Sequence, residues 1–124
     1  MRTLQQAYNI AKQHIKDQGS RAYDNNARQC LYRTSDGRAC AVGALLPDLF
    51  EGLNSRGTVE GLHYGYGLRF WDAIDMKNNI RTLEFLKDLQ KAHDSDLSEP
   101  YITSWEEEVD KAFAQVALAW GLNP

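Results

Sequence analysis

The sequence predicts an α+β single domain spanning residues 1–124, mostly helical with a small antiparallel β-hairpin. Three observations carry that expectation. Capping boxes at Thr3–Gln6 and Ser104–Glu107 each open a run of apolar residues at helical spacing, and a third such run lies between Ile80 and His93. The triplet Ser35-Asp36-Gly37 has turn chemistry and separates two short mixed segments that read as strands.

In the first helix, Thr3 and Gln6 satisfy each other's backbone donors, and Leu4, Ala7, Tyr8, Ala11, His14 and Ile15 then recur on one side up to Gly19. His14 is expected to be packed or half-buried beside that stripe. The Asp24-Asn25-Asn26 cluster turns the chain toward the hairpin, whose strands are Arg28–Arg33 and Arg38–Val42. A three-residue loop would put Gly37 in the left-handed region and pair Thr34 with Arg38. In that register Cys30, Tyr32, Cys40 and Val42 share a face, and a slip of one residue would separate the two cysteines. Strand character is expected to about Ala41. A short helix follows from near Val42, and Pro47 opens a new turn through Asp48, Leu49 and Phe50.

Residues 58–79 read as an irregular segment, with Gly61, Gly65 and Gly67 interleaved with His63, Tyr64, Tyr66 and Phe70-Trp71. The glycines lack the spacing of a Walker loop or a dinucleotide fingerprint. Two readings stay open: an aromatic loop built for contact, or Leu62, Leu68, Phe70 and Trp71 filling the core while the glycines turn corners. Asn79 then caps a helix from Ile80 to about His93, with Leu83, Leu86, Leu89 or Gln90 on one side. A polar loop over Asp94 to Pro100 lacks the glycine and the closing glutamate of a calcium loop. The last helix carries Trp105, Val109, Ala112, Phe113, Val116, Ala117 and Trp120 in register, and Gly121-Leu122 is placed for a Schellman ending.

Composition supports a folded, soluble chain, with 43% hydrophobic and 25% charged residues. No apolar run approaches the ~20 residues of a membrane span. The N-terminal stretch reads as neither secretory signal nor lipidation site, which points to the cytoplasm, where Cys30 and Cys40 are expected as free thiols. The net charge of −3 is uneven: residues 1–40 hold seven Lys or Arg against three Asp, and the remainder seven against fourteen acids. Arg21, Arg28, Arg33 and Arg38 gather around the hairpin. They could meet phosphates, an acidic partner or the acidic half of the chain itself, but the overall balance argues against duplex nucleic acid.

The pattern Cys30, Tyr32-Arg33, Gly37, Cys40-Ala41-Val42-Gly43, Leu45-Leu46-Pro47-Asp48 resembles a family of small proteins of bacteriophages, prophages and bacterial mobile elements. Leu86, Leu89-Gln90, His93-Asp94 and Trp105 resemble its second block. Phe50 departs from the tyrosine the family would place there, and residues 54–67 match none of its motifs. The resemblance implies a mobile-element context and carries over no catalytic residue.

Three chemistries can be drawn from these residues. Cys30, Cys40, His63 and His93 are zinc-ligand types, but nine residues lie between the cysteines, unlike the tight pairs of structural sites. Cys40 near a helix start, with His93 as base, would make a nucleophile, although Asp94 points about 100 degrees away from its neighbour and could not orient it. The reading preferred on sequence is a binding module without cofactor. It would interfere with host defence by sequestering a nucleotide-like anion or occupying a host protein, with Tyr32, Arg33, Arg38, His63, Tyr64 and Tyr66 as contact residues. Thirteen aromatic residues and an open hairpin edge also admit a homo-oligomer.

Overall fold

The computed structural model describes residues 1–19, 23–24, 29–30, 32–34, 37–53, 58–94 and 105–124, and only the backbone at 23, 24, 29, 30, 93 and 94. Among these, five helices make up the fold: α1 (Leu4–Gln18), α2 (Val59–Tyr66), α3 (Leu68–Ile74), α4 (Ile80–Asp94) and α5 (Trp105–Trp120). A 3-10 turn at Gly43–Leu45 lies between the first two.

The expected α+β class is overturned. Backbone pairing among the described residues amounts to a two-residue antiparallel contact, Tyr23–Cys30 and Asp24–Gln29, and one bridge, Arg33–Ala39. The turn at Gly37 is nonetheless tight, with φ +89° and Thr34 N donating to Arg38 O at 2.8 Å. Cys40 N donates to Tyr32 O at 3.3 Å, and there the pairing ends. Ala44 N turns back onto Cys40 O at 2.9 Å and the chain coils into the 3-10 turn. Cys30, expected opposite Val42, pairs by backbone with Tyr23 instead.

A helical side chain and a turn carbonyl also occupy the edges where a sheet would have grown. On one side of the Arg33–Ala39 rung, the Gln18 side-chain amide accepts from Ala39 N at 2.7 Å and donates to Ala39 O at 3.0 Å. On the other, Arg33 N donates to Leu53 O at 3.0 Å. The open hairpin edge anticipated from the sequence is thus closed at this rung.

The long helices form as their caps dictate. The Thr3–Gln6 capping box is present, and α1 ends at Gly19 in the left-handed region. Asn79 Oδ1 accepts from Thr82 N at 2.8 Å at the start of α4. Gly121 has φ +67° and Leu122 N reaches Ala117 O at 2.9 Å, the Schellman bond. His14 is a correction: it is exposed, against Gln18 Oε1 at 3.2 Å.

Residues 59–74 fold as two helices despite their glycines. Thr58 Oγ1 accepts from Gly61 N and starts α2. Val59, Leu62, Phe70, Trp71 and Ile74 are buried, and that burial outweighs the poor helix propensity of glycine. Only Gly67, at φ +55°, turns a corner. One core joins Tyr8, Ala11 and Ile15 of α1 to Phe85, Leu86 and Leu89 of α4, Val109 and Phe113 of α5, and the loop residues Tyr32, Val42 and Leu45. No helix among the described residues is long and apolar enough to cross a membrane.

Candidate functional site

Arg33 of the Cys-x-Tyr-Arg pattern and the Gly43 to Asp48 stretch that holds the Leu-Leu-Pro-Asp pattern meet in space, and they meet as scaffold. The Arg33 guanidinium pairs with Asp48 at 2.5 Å and donates to Gly43 O and Leu46 O at 3.3 and 3.4 Å. It thereby gives Leu46 O a donor and adds a second one at Gly43 O, which also accepts from Leu46 N at 3.2 Å. Tyr32 is buried. Cys40 has no exposed surface, and its Sγ accepts from Gly43 N at 3.3 Å, three residues on, as a serine oxygen would in an N-capping turn.

Residues of the second block serve the same scaffold. Leu86 and Leu89 are fully buried, Gln90 Oε1 accepts from Val42 N at 3.1 Å, and Trp105 Nε1 donates to Ile15 O at 3.1 Å. Of the six expected contact residues, Tyr32 and Arg33 are therefore engaged inside the fold. Arg38 lies apart from the aromatic helices, beside His14, Asp17 and Gln18 in a shallow depression of about 330 Å³ at the end of α1.

The other three stand on α2. His63 is half-buried and its Nδ1 accepts from Trp71 Nε1 of α3 at 2.8 Å, which fixes the neutral ring with its proton on Nε2. Tyr64 is 80% exposed, with its ring 4.8 Å from that of His63. Tyr66 packs edge-on against Phe50 at 5.2 Å, and the Arg69 guanidinium lies 5.5 Å from its ring centre while pairing with Glu51. Leu68, the first residue of α3, is 69% exposed.

Between these side chains α2 is bare. A Cβ at Gly65 would meet nothing within 4 Å, and one at Gly61 would meet only Thr58 Oγ1 at 3.7 Å. Gly61 and Gly65 are one turn apart on α2 with Tyr64 between them in sequence, so this exposed part of the helix sets open backbone beside a large side chain, and Leu68 follows as the first residue of α3, past the corner at Gly67. Sequence reasoning expected an irregular segment here, either an aromatic contact loop or a core-filling stretch with the glycines at its corners, and in both readings it missed the helix. The four-residue spacing of the glycines, with Val59 and Leu62 three apart, was the signal.

Charge pairs fasten the helices around this corner. Lys87 of α4 bridges Glu60 of α2 at 3.1 Å and Glu84 at 3.3 Å, and hydrogen bonds to Glu60 first and Glu84 second raise its pKa. Across the molecule, Lys16 pairs with Asp110 at 3.0 Å and Glu106 at 3.2 Å, and its hydrogen bond to Asp110 holds that carboxyl below the ordinary carboxylate range. Burial, reinforced by Asp110, pushes the Tyr8 phenol up.

The zinc and nucleophile arrangements draw on His93 and Cys30, whose side chains lie outside the described residues. Cys40 and His63, the members that can be placed, each hold an intramolecular hydrogen bond. Among the described residues no three His, Cys, Asp or Glu side chains group as a metal site. Compared with protein-family models, with curated proteins and with solved structures, the chain matches none.

Proposed function

We propose that this chain acts by binding, as a small accessory protein of a phage or other mobile element in the host cytoplasm, and that it interferes with host defence by occupying a host protein. The surface that would make the contact is the outer face of α2 with Leu68. What carries the reading is the pair Gly61 and Gly65. Each glycine costs a helix interior about 0.5–1 kcal/mol relative to alanine, and neither is required by a close approach inside the fold. A partner whose backbone comes close to α2, with Tyr64 and Leu68 as apolar anchors, would make use of that bare surface.

Sequestration of a nucleotide-like anion is the weaker reading, because Arg33 is engaged with Asp48 and two carbonyls and Tyr32 is buried. A cysteine-dependent enzyme draws no support from a thiol without exposed surface.

The test is photo-crosslinking in host cells from a benzophenone amino acid placed at Tyr64, compared with the same group at Asn9, exposed on α1. The expected result is one discrete host-protein adduct from position 64, absent from position 9 and abolished by Gly65→Trp in a chain of unchanged circular dichroism. The same adducts from both positions, or none from either, would overturn the reading.

A further inference from the structure

The chain's three indoles each donate a hydrogen bond, and their acceptors differ in kind. Trp105 gives its proton to the backbone carbonyl of Ile15, Trp120 to the Asp88 carboxylate at 2.9 Å, and Trp71 to a ring nitrogen of His63. Only the last acceptor is an imidazole nitrogen, which can itself take up a proton and become a donor. A protonated imidazole is a donor at both nitrogens. Its Nδ1 hydrogen would face the indole hydrogen across the present 2.8 Å, so the bond and the charged ring exclude one another.

We infer that the His63–Trp71 pair is a proton-sensitive latch between α2 and α3. Trp71 is 3% exposed, so an indole N–H that loses His63 has no ready access to water. Its ring is wedged edge-on against Phe70 at 5.1 Å and His63 at 5.8 Å, which leaves rotation of His63 or displacement of α2 as the available responses. Either moves Tyr64, whose ring lies 4.8 Å from the imidazole. The charged and titratable side chains described on the packed elements are, besides His63, Glu60, Tyr64 and Tyr66 on α2, Arg69 and Asp72 on α3, and Arg81, Glu84, Lys87, Asp88 and Lys91 on α4. Among the described residues none is ion-paired to His63: Glu60 and Glu84 are held by Lys87, and Arg69 by Glu51.

The sign follows from the acceptor. The latch is closed while His63 is neutral and opens on acidification, so a partner that needs the closed α2 face binds more weakly as pH falls, and its binding in turn opposes protonation of His63. This consequence for binding rests on the proposed role of α2; the latch itself does not.

The experiment is a nitrogen–proton NMR titration of the free protein from about pH 8 to about pH 5, the span in which imidazoles take up a proton. It follows the three indole N–H resonances together with the His63 ring. The expected result is that the Trp71 indole moves with the midpoint of the His63 ring and exchanges faster with solvent, while Trp105 stays still. His63→Asn, which keeps an acceptor near the Nδ1 position but cannot titrate, should hold the Trp71 resonance fixed. A Trp71 resonance that ignores the His63 midpoint overturns the latch, as does a His63 ring that takes up no proton before the chain unfolds, or an unchanged Trp71 titration in His63→Asn. The wild-type titration decides the coupling even where that variant fails to fold. Because it needs no partner, its outcome is separate from that of the crosslinking test.

Discussion

A side chain at position 43 would place its Cβ 2.8 Å from the carbonyl carbon of Tyr32 and closer still to the oxygen of that carbonyl. Backbone meets backbone there, so neither partner can swing aside. Gly43→Ala is therefore expected to cost about 3 kcal/mol or more, at the high end for a point substitution, and to leave much of the chain unfolded in urea titrations at room temperature. Gly65→Ala, at a helix position with open space, should instead gain about 0.5–1 kcal/mol.

Arg33 separates a structural from a ligand-binding role. Lysine keeps the charge but cannot fork to Asp48, Gly43 O and Leu46 O together. Arg33→Lys should lose about 1–2 kcal/mol in chemical denaturation, chiefly through the carbonyls, since Asp48 is 87% exposed and that ion pair is worth little. Crosslinking per folded molecule from Tyr64 should be unchanged.

Cys40 is expected to be silent toward thiol reagents. In a chain carrying Cys30→Ser, modification of Cys40 by a disulfide reagent should proceed only at the rate of unfolding, because its Sγ is buried and occupied by Gly43 N. Cys40→Ser should keep the cap and change stability by less than about 1 kcal/mol. Rapid labelling of the folded chain would contradict this arrangement.

Tyr8 has a fully buried hydroxyl that finds no hydrogen-bond partner among the described residues. Tyr8→Phe is expected to raise stability by about 1 kcal/mol at neutral pH. The variant should also change the alkaline limb. With the folded phenol raised above its ordinary value, the stability it contributes is present below about pH 10 and lost as pH rises toward the folded value, a slope that Tyr8→Phe removes.

Asp110 acts on the acid side with the opposite sign. Its carboxyl is lowered by Lys16, so its contribution is present above the ordinary carboxylate value of about 3.9 and lost as pH falls through the folded value. The site is 46% exposed, which limits the effect to a few tenths of a kcal/mol. The thermal midpoints of wild type and Asp110→Asn should converge as pH falls below the ordinary carboxylate value, and also in high salt.

What could be read from the sequence was what short-range chemistry decides. The Thr3 box, the Asn79 cap and the Gly121-Leu122 ending each settle a helix terminus within a few residues, and α1, α4 and α5 follow from them. The Thr34–Arg38 turn was legible for the same reason. Whether the turn would grow into a sheet depended on Gln18 and Leu53, which arrive from other parts of the chain. Likewise α2 and α3 depend on long-range burial of Leu62, Phe70 and Trp71 against glycine's local preference. The candidate site was half legible: Tyr64, Tyr66 and His63 do gather, whereas Arg33 and Tyr32 looked available only because no pattern in the sequence records that their partners lie within the fold.

The Gln18 amide has one more effect. A β-rung that offers an outward N–H and C=O can template a second strand, and repetition of that step is how fibrils grow. At the Arg33–Ala39 rung the offer on the Ala39 side is taken up by a side chain anchored in the last turn of α1, and Arg33 N on the far side is taken by Leu53. An incoming strand would first have to pull that helical turn away. The most β-prone stretch of the chain is thus guarded by a helix, and Gln18→Leu should show itself less in melting temperature than in how concentrated a solution can become before it turns cloudy.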